Sequence, residues 1–354
     1  MGTTVYGDIT PRTAAYVVRD LLKRGLPFMV FEKFGQMKPI PANSTQAIKF
    51  RRYFINTTFS NFSGKFNLDE YLTGTDFDPT QKVLTEGVTP TATDLSSQDI
   101  TATLSQYGDL TTITDVIMDT HEDPVLQEAI DILGEQAAII VEKIRFNVLK
   151  AGTSVFYSAT TASPSARTDV NQAITLNLQR NITRTLKRNL AKPITKVVRS
   201  TPSFNTESVA PSFVAVCHPD LEADLRGLAG FVPAEDYGSL SPWENEIGKV
   251  EDCRYVASTI IEPWADSGAA TSTLLTTSGS DADVYPILYF ARDAYGLVPL
   301  KGKSSLTPMV VNPTPSDSDP LAQRGHVSWK TWQTAVILND SFMARAEVGV
   351  TDLS

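Results

Sequence analysis

The stretch "LTEGVTPTATDLSSQDITATLSQYGDLTTITDVI", Leu84 to Ile117, decides how the rest of the chain is read. It is rich in Thr, holds only a few acids and has no basic residue nearby to pair with them. Ile100, Ala102 and Leu104 alternate with polar residues, the period of a strand with one covered face. At "QYGD", Gly108 permits a bulge or bend, after which Thr111, Ile113 and Asp115 alternate on a new register. A long strand that turns midway suits one end in a projecting hairpin and the other in a body sheet. Such a surface is poorly matched to water, and the expectation is that a second copy of the chain covers much of it.

Upstream, "QAIKFRRYF" (46–54) reads as the partner strand, with Ile48, Phe50 and Arg52 on one face and Lys49, Arg51 and Tyr53 on the other. From Ile55 to Thr80 no period survives, yet Phe59, Phe62, Phe66, Tyr71 and Phe77 punctuate a run rich in Asn, Thr, Ser and Gly. Disorder predicts few aromatics, and long loops inside compact domains are usually functional. These five rings are therefore candidate contacts with a neighbouring subunit. Before them, residues 11–24 form a short amphipathic pattern between Pro11 and Gly25. "FEKFGQMKPIPANST" (31–45) then breaks regular structure and reads as an arm that lies on something else.

Downstream, "EDPVLQEAIDILGEQAAIIVEKIRFNVLKAG" is the strongest helix signal in the chain. Asp123 suits the N-cap, Pro124 the first helical position and Gly152 the C-terminal cap. Leu126, Ile130, Leu133, Ala137, Ile140, Ile144 and Val148 recur at helical spacing on a rod of about 40 Å, a spine. A second helix is expected over 170–191, with Ile174, Leu178, Ile182, Leu186 and Leu190 as its apolar stripe. Its other side is basic, with Arg180, Arg184, Lys187 and Arg188, continued by Lys192, and no acid lies between Asp169 and Glu207. Such a run is either a solvated face or a surface for nucleic acid, a scaffold or an acidic neighbour. From 201 onward short strands alternate with turns, and two more strands, in "GHVSWKTWQTAVILND" and "SFMARAEVGV", close an α+β layout.

The 354 residues suffice for one large domain or two of ordinary size. A net charge of -9 argues against a dedicated nucleic-acid binder. Two cysteines, Cys217 and Cys253, are too few for a disulfide framework, and no apolar run approaches the roughly 20 residues that span a bilayer. A soluble, cytosolic protein without membrane contact is expected, so the sequons at Asn43, Asn56, Asn61 and Asn181 carry little meaning.

Chemistry does not converge anywhere. His121, His218 and His326 are scattered, and Cys217 and His218, adjacent on a strand, point to opposite faces. "GLVPLKGKS" imitates a phosphate loop but has five residues between its glycines and no helix after it. The pairs Asp76/Asp78, Asp281/Asp283 and Asp317/Asp319 sit in loops. No catalytic residue, metal ligand or cofactor site is assigned, and no enzyme is expected.

Several segments together resemble a known family. They are "KFRRY" (49–53), "LTEGVTP" (84–90), "QYGDLTTITD" (106–115), "DPVLQEA" (123–129) and "LGEQAA" (133–138). They continue with "HPD" (218–220), "FVPAEDYG" (231–238), "EIG" (246–248), "DAYG" (293–296), "DPLAQRGHVSWK" (319–330) and "ILND" (337–340). In order and spacing the chain resembles the major capsid protein of tailed bacteriophages, in the N-four-like coat family. Asn245 departs from the Gly expected before "EIG", which affects a turn.

The resemblance implies the Hong Kong ninety-seven-type fold of tailed-phage and herpesvirus shells. Its parts would be an N-terminal arm (1–44), an extended hairpin loop (45–106) and a peripheral domain (107–200) with its spine at 123–151. An axial domain (201–304) and return strands of the peripheral domain (305–354) would follow. It further implies hexamers and pentamers closing into an icosahedral head around double-stranded DNA, assembled in the host bacterial cytoplasm. Portal and scaffolding proteins would be partners, with a decoration protein possible outside. The rival readings are a same-fold shell enclosing an enzyme cargo, a cytosolic enzyme with an unrecognised site, and an oligomeric binding module.

Overall fold

The computed structural model describes residues 29–41, 45–55, 79–90, 92, 95–116, 125–161, 163–198, 206–237, 242–300, 307–311, 315 and 320–353. The expected helix at 11–24 and the rings of Phe59, Phe62, Phe66, Tyr71 and Phe77 lie outside these residues.

Strands β2 (Ala47–Ile55) and β3 (Leu95–Thr103) form an antiparallel ribbon, with Ala47 opposite Thr103 and Ile55 opposite Leu95. The chain changes direction at Leu104, not at Gly108 as the spacing suggested. There the Leu104 amide donates to Gln46 O at 2.9 Å and the Gln46 side chain donates to Leu104 O at 3.1 Å. Leu104 is buried with Ile40, Ala102 and Val298, which fixes the corner. Gly108 lies inside the next strand, β4 (Ser105–Thr114), opposite Lys330. A Cβ at Gly108 would come within 2.6 Å of Trp329 O, so glycine here allows a close backbone approach.

β4 pairs along its whole length with β14 (Arg324–Ile337). The other edge of β14 takes β13 (Thr307–Val311) and β12 (Tyr295–Pro299), and β1 (Gln36–Met37) adds to β12 in parallel. Helix α1 (Val125–Leu149) covers one face of this five-stranded sheet, where Ile130, Leu133 and Ala137 meet Ile113, Val327 and Trp329.

The second half of α1 departs from the expected stripe. Val141, Phe146 and Leu149 are buried, whereas Ile144 and Val148 are only half-buried. The reason is a second sheet: Phe146 and Leu149 pack on Val214, Val216, Leu288 and Phe290. That sheet has eight strands, namely β5 (Val155–Tyr157), β6 (Ile194–Val198), β7 (Thr206–Cys217), β8 (Phe231–Pro233), β9 (Glu246–Val250), β10 (Cys253–Ala257), β11 (Tyr285–Phe290) and β15 (Met343–Val348). Strict alternation along β7 sends Val214 and Val216 toward α1, and Phe213, Ala215 and Cys217 toward helices α2 (Leu176–Arg188) and α3 (Glu222–Arg226). Consecutive strands separate: β11 joins the eight-stranded sheet and β12 the five-stranded one, and β14 and β15 part in the same way.

Helix α2 is shorter than the expected 170–191. Thr175 caps it, its hydroxyl accepting from the Leu178 amide at 3.3 Å. Val170 and Ile174 are buried before the helix begins, and apolar residues at that spacing imitate an earlier start. Leu190 lies past the end at φ 51° and is exposed, so it leaves the stripe. Instead Gln179 is buried on the inner face, donating to Val250 O at 2.8 Å and accepting from the Tyr255 hydroxyl at 2.9 Å. Asn245 adopts φ 62°, a left-handed conformation that Asn tolerates better than most residues.

The expectation that the arm segment lies on something else fails for its described part. Val30, Phe31 and Phe34 enter this chain's own core. Phe31 meets Phe290 edge-on at 6.1 Å, and its carbonyl accepts from the Tyr295 hydroxyl at 2.6 Å. Its amide donates to Glu142 on α1 at 3.2 Å. Glu142 is fully buried beside Arg145, which reaches on to Glu32 at 3.3 Å and Gln333 at 3.2 Å. The second Glu142 oxygen has no hydrogen bond among the described residues. Burial pushes the Glu142 carboxyl up to about 7, against the pull of Arg145.

Two outcomes follow for stability. The folded chain holds the Glu142 proton above its ordinary 4.5, so its stability falls as pH rises from about 4.5 to about 7 and is level beyond. Glu142→Gln keeps an acceptor for the Phe31 amide and flattens that slope, read from urea midpoints at pH 5 and pH 7. Phe31→Ala, which empties a core site, lowers stability by about 3–5 kcal/mol in the same titration.

Candidate assembly surfaces

No catalytic constellation forms among the described residues. No group of three His, Cys, Asp or Glu side chains converges there. Cys217 and Cys253 are free and buried, and burial pushes both thiols well above their ordinary range, away from the thiolate form that reacts. His218 accepts from the Asp220 amide at 3.3 Å and lies against the Tyr285 ring, a cap for the turn that precedes α3. Asp283 organises the loop after residue 262, accepting from the Asp266 amide at 2.8 Å and the Thr277 hydroxyl at 2.7 Å. Asp76, Asp78, Asp317, Asp319 and His121 lie outside the described residues. Gly296 to Pro299 belong to β12, so that glycine opens no phosphate loop. No helix among the described residues is long and apolar enough to cross a membrane.

What the surface does carry is of two kinds. The first is charge. Arg180, Arg184, Lys187 and Arg188 stand exposed on the outer side of α2, followed by exposed Lys192. The tight turn between β9 and β10 brings two acids against them, with Glu251 held at φ 50°. Arg180 donates to Glu251 at 2.9 Å, Lys187 forms a close ion pair with Asp252, and Arg184 donates to Asn181 at 2.9 Å. Two of the five cations are thus matched within the chain, by acids 71 and 65 residues away. Arg184, Arg188 and Lys192 have no acid within ion-pair distance among the described residues.

The second kind is apolar. The face of the five-stranded sheet turned away from α1 carries exposed Leu110, Met309 and Val311 in adjoining strands, with Thr112, His326 and Ser328 between them. Leu110 and Met309 flank Ser328, and Thr112 and Val311 flank His326. Sequence reasoning missed this patch, although the alternation in "TPMVV" contained the signal.

Among the described residues the ribbon is covered at its base, by the chain itself. Ile48 and Phe50 pack with Val298 and Leu300, and Lys38 sits over the Phe50 ring. Farther out Tyr53, Val83, Leu84, Val88 and Leu95 are exposed, Leu95 at 74%. Asp99, which seemed to lack a basic partner, receives a two-pronged bond from Arg51 on β2, at 2.7 and 2.9 Å. The opening stretch is therefore half covered internally, through Ala102, Leu104 and Ile113, and half bare.

Comparison with known proteins accounts for this arrangement. The model of the family described as "Phage capsid protein" matches residues 97–345. No curated protein matches the chain in sequence. Among solved structures, the capsid of Ralstonia phage GP4 aligns with TM-score 0.60 and 13% identity over 92% of each chain. The head structure of Helicobacter pylori bacteriophage KHP40 aligns with TM-score 0.56 and 10% identity, over 99% of this chain and 95% of that one. The cyanophage Pam1 capsid aligns with TM-score 0.56 and 11% identity, over 99% and 94%. These likenesses show the Hong Kong ninety-seven-type fold, and a match to phage coats favours a viral shell over an enzyme-enclosing one. The surfaces bare in a single subunit are those of a structural, non-enzymatic protein, and the chain belongs to the phage capsid protein family, as a major capsid protein.

Proposed function

We propose that the chain associates as hexamers and pentamers that close into an icosahedral head around double-stranded DNA, assembled in the host bacterial cytoplasm. The observation that carries this reading is the ribbon, clamped to its own body at the base and bare beyond it at Tyr53 and Leu95. A strand pair anchored only at its base, with Tyr53 and Leu95 exposed beyond it, supports a role in reaching over a neighbouring copy. Phe59, Phe62, Phe66, Tyr71 and Phe77, placed by sequence between its two strands, are the proposed inter-subunit contacts. Each contact is weak, but many per subunit and closure of the shell multiply them.

In this reading 1–44 is the arm, 45–106 the extended loop, 107–200 the peripheral domain and 201–304 most of the axial domain. The segment 305–354, expected to return wholly to the peripheral domain, divides instead: β14 lies in the five-stranded sheet and β15 in the eight-stranded one, which also holds β5 and β6. The net charge of -9 suits a wall that does not grip packaged DNA tightly. Arg184, Arg188 and Lys192 are the proposed contact with DNA, an internal scaffold or a neighbour's acids. Arg180 and Lys187 are assigned to holding the β9–β10 turn. The proposed partners are further copies of the chain, a portal, a scaffolding protein and an outer decoration protein.

Electron microscopy of the expressed chain tests the assembly directly. Hollow spheres, or rings of five and six, are expected; a stable small species alone overturns the reading. The double variant Arg184→Glu/Arg188→Glu is expected to lower particle yield or packaged genome while leaving the subunit's melting temperature unchanged. Unchanged particles with unchanged genome content refute the role of the basic face.

A further inference from the structure

Strand β4 has one edge on β14 and, among the described residues, nothing on the other. Two hydrogen bonds tell which backbone groups face outward. The Asp115 amide, just past the strand, donates to Gln323 O at 3.2 Å on the β14 side. The Leu110 amide instead donates to the Asp109 carboxylate at 2.8 Å. Amide and carbonyl of one strand residue point the same way in an antiparallel ladder, and neighbours alternate. The even residues Gln106, Gly108, Leu110, Thr112 and Thr114 therefore turn their backbone groups away from β14.

The other outer strands of this sheet are protected by sequence. β13 contains Pro308, which has no amide to offer, and β1 spans only Gln36–Met37, with Pro39 just beyond. β4 runs for ten residues without proline. Its single charge, Asp109, is drawn to the helix side by Gln136 on α1, at 2.6 Å. A long open edge of this kind is a template for another strand.

The edge is also complementary to itself. Turned antiparallel about Leu110, the outward residues of two copies meet only one another: Leu110 with Leu110, Gly108 with Thr112, Gln106 with Thr114. No charge falls among them. Leu110, 57% exposed in the single subunit, would meet its own counterpart at the centre. We propose that the open edge of β4 pairs antiparallel with the same edge of a second copy, across a two-fold axis at Leu110. The second copy as occupant rests on the coat-protein reading.

Asp109 then acts as a guard. In the lone subunit its carboxylate occupies the central outward amide, and pairing replaces that bond with a backbone carbonyl while Gln136 keeps the carboxylate. The edge is thereby protected until a partner of matching register arrives.

Single cysteine variants read the register in assembled particles. Hydrogen-bonded antiparallel residues lie about 5.5 Å apart at Cα, inside the range of about 4.4–6.8 Å that a disulfide spans. Leu110→Cys is expected to give a doubled-mass band on a non-reducing gel after mild oxidation. Thr112→Cys, displaced from its own counterpart by about 13 Å along the strand, is expected to give none. The native Cys217 and Cys253 are buried and do not interfere. Thr112→Pro removes an outward amide while sparing the β14 ladder, and in the Leu110→Cys background it is expected to abolish the band. Particles in which Leu110→Cys stays monomeric, or in which both cysteines cross-link equally, overturn the pairing and leave the coat-protein reading intact. A parent chain that forms no particles overturns both.

Discussion

Helix α1 is the constraint on which the rest of the subunit depends. Its first half is the cover of one sheet and its second half the cover of another, so two cores share a single rod. Between the halves lies buried ionic chemistry: Glu142 receives the Phe31 amide, and Arg145 reaches Glu32 and the β14 side chain Gln333. The desolvation of these groups is tolerable because nearly every polar atom finds a partner. The result ties the arm segment, the helix and the five-stranded sheet at one point. Phe31 adds the eight-stranded sheet, its ring against Phe290 and its carbonyl accepting from Tyr295, near the crossing from β11 to β12.

A subunit built this way spends its order on the body and leaves its margins bare. The leucines, valines and methionine of the ribbon and the outer sheet face stand largely exposed in the lone fold, while burial pushes its core cysteines and tyrosines above their ordinary titration range. That division, a packed interior and apolar margins, suits a structural shell component.

Much of this was legible from residue order. The spine, the ribbon strands and most of the later strands follow from period, because that feature is local; the helix-start signals Asp123 and Pro124 lie outside the described residues. The failures share a cause: each depended on a distant partner. Nothing near Phe146 in sequence says that a second sheet faces the end of α1. Val170 and Ile174 keep helical spacing while being buried as extended chain, so the start of α2 was set too early. Leu104 turns the strand because Ile40 and Val298 bury it, whereas Gly108 merely looked permissive. The acids that match Arg180 and Lys187 sit in a turn dozens of residues later. β14 and β15 read alike as strands, and only the three-dimensional partners separate them.

The clamp at the ribbon base has a mechanical meaning. Phe50, Ala102 and Leu104 are gripped by β12 and its surroundings, and the nine-residue strands extend from that grip as a cantilever does from a wall. A force applied near the free end becomes a bending moment at the support, where Leu104 meets Val298 and β4 continues into the ladder with β14. Because α1 rests on that ladder, a load placed on the ribbon would pass through β4 and β14 to the helix.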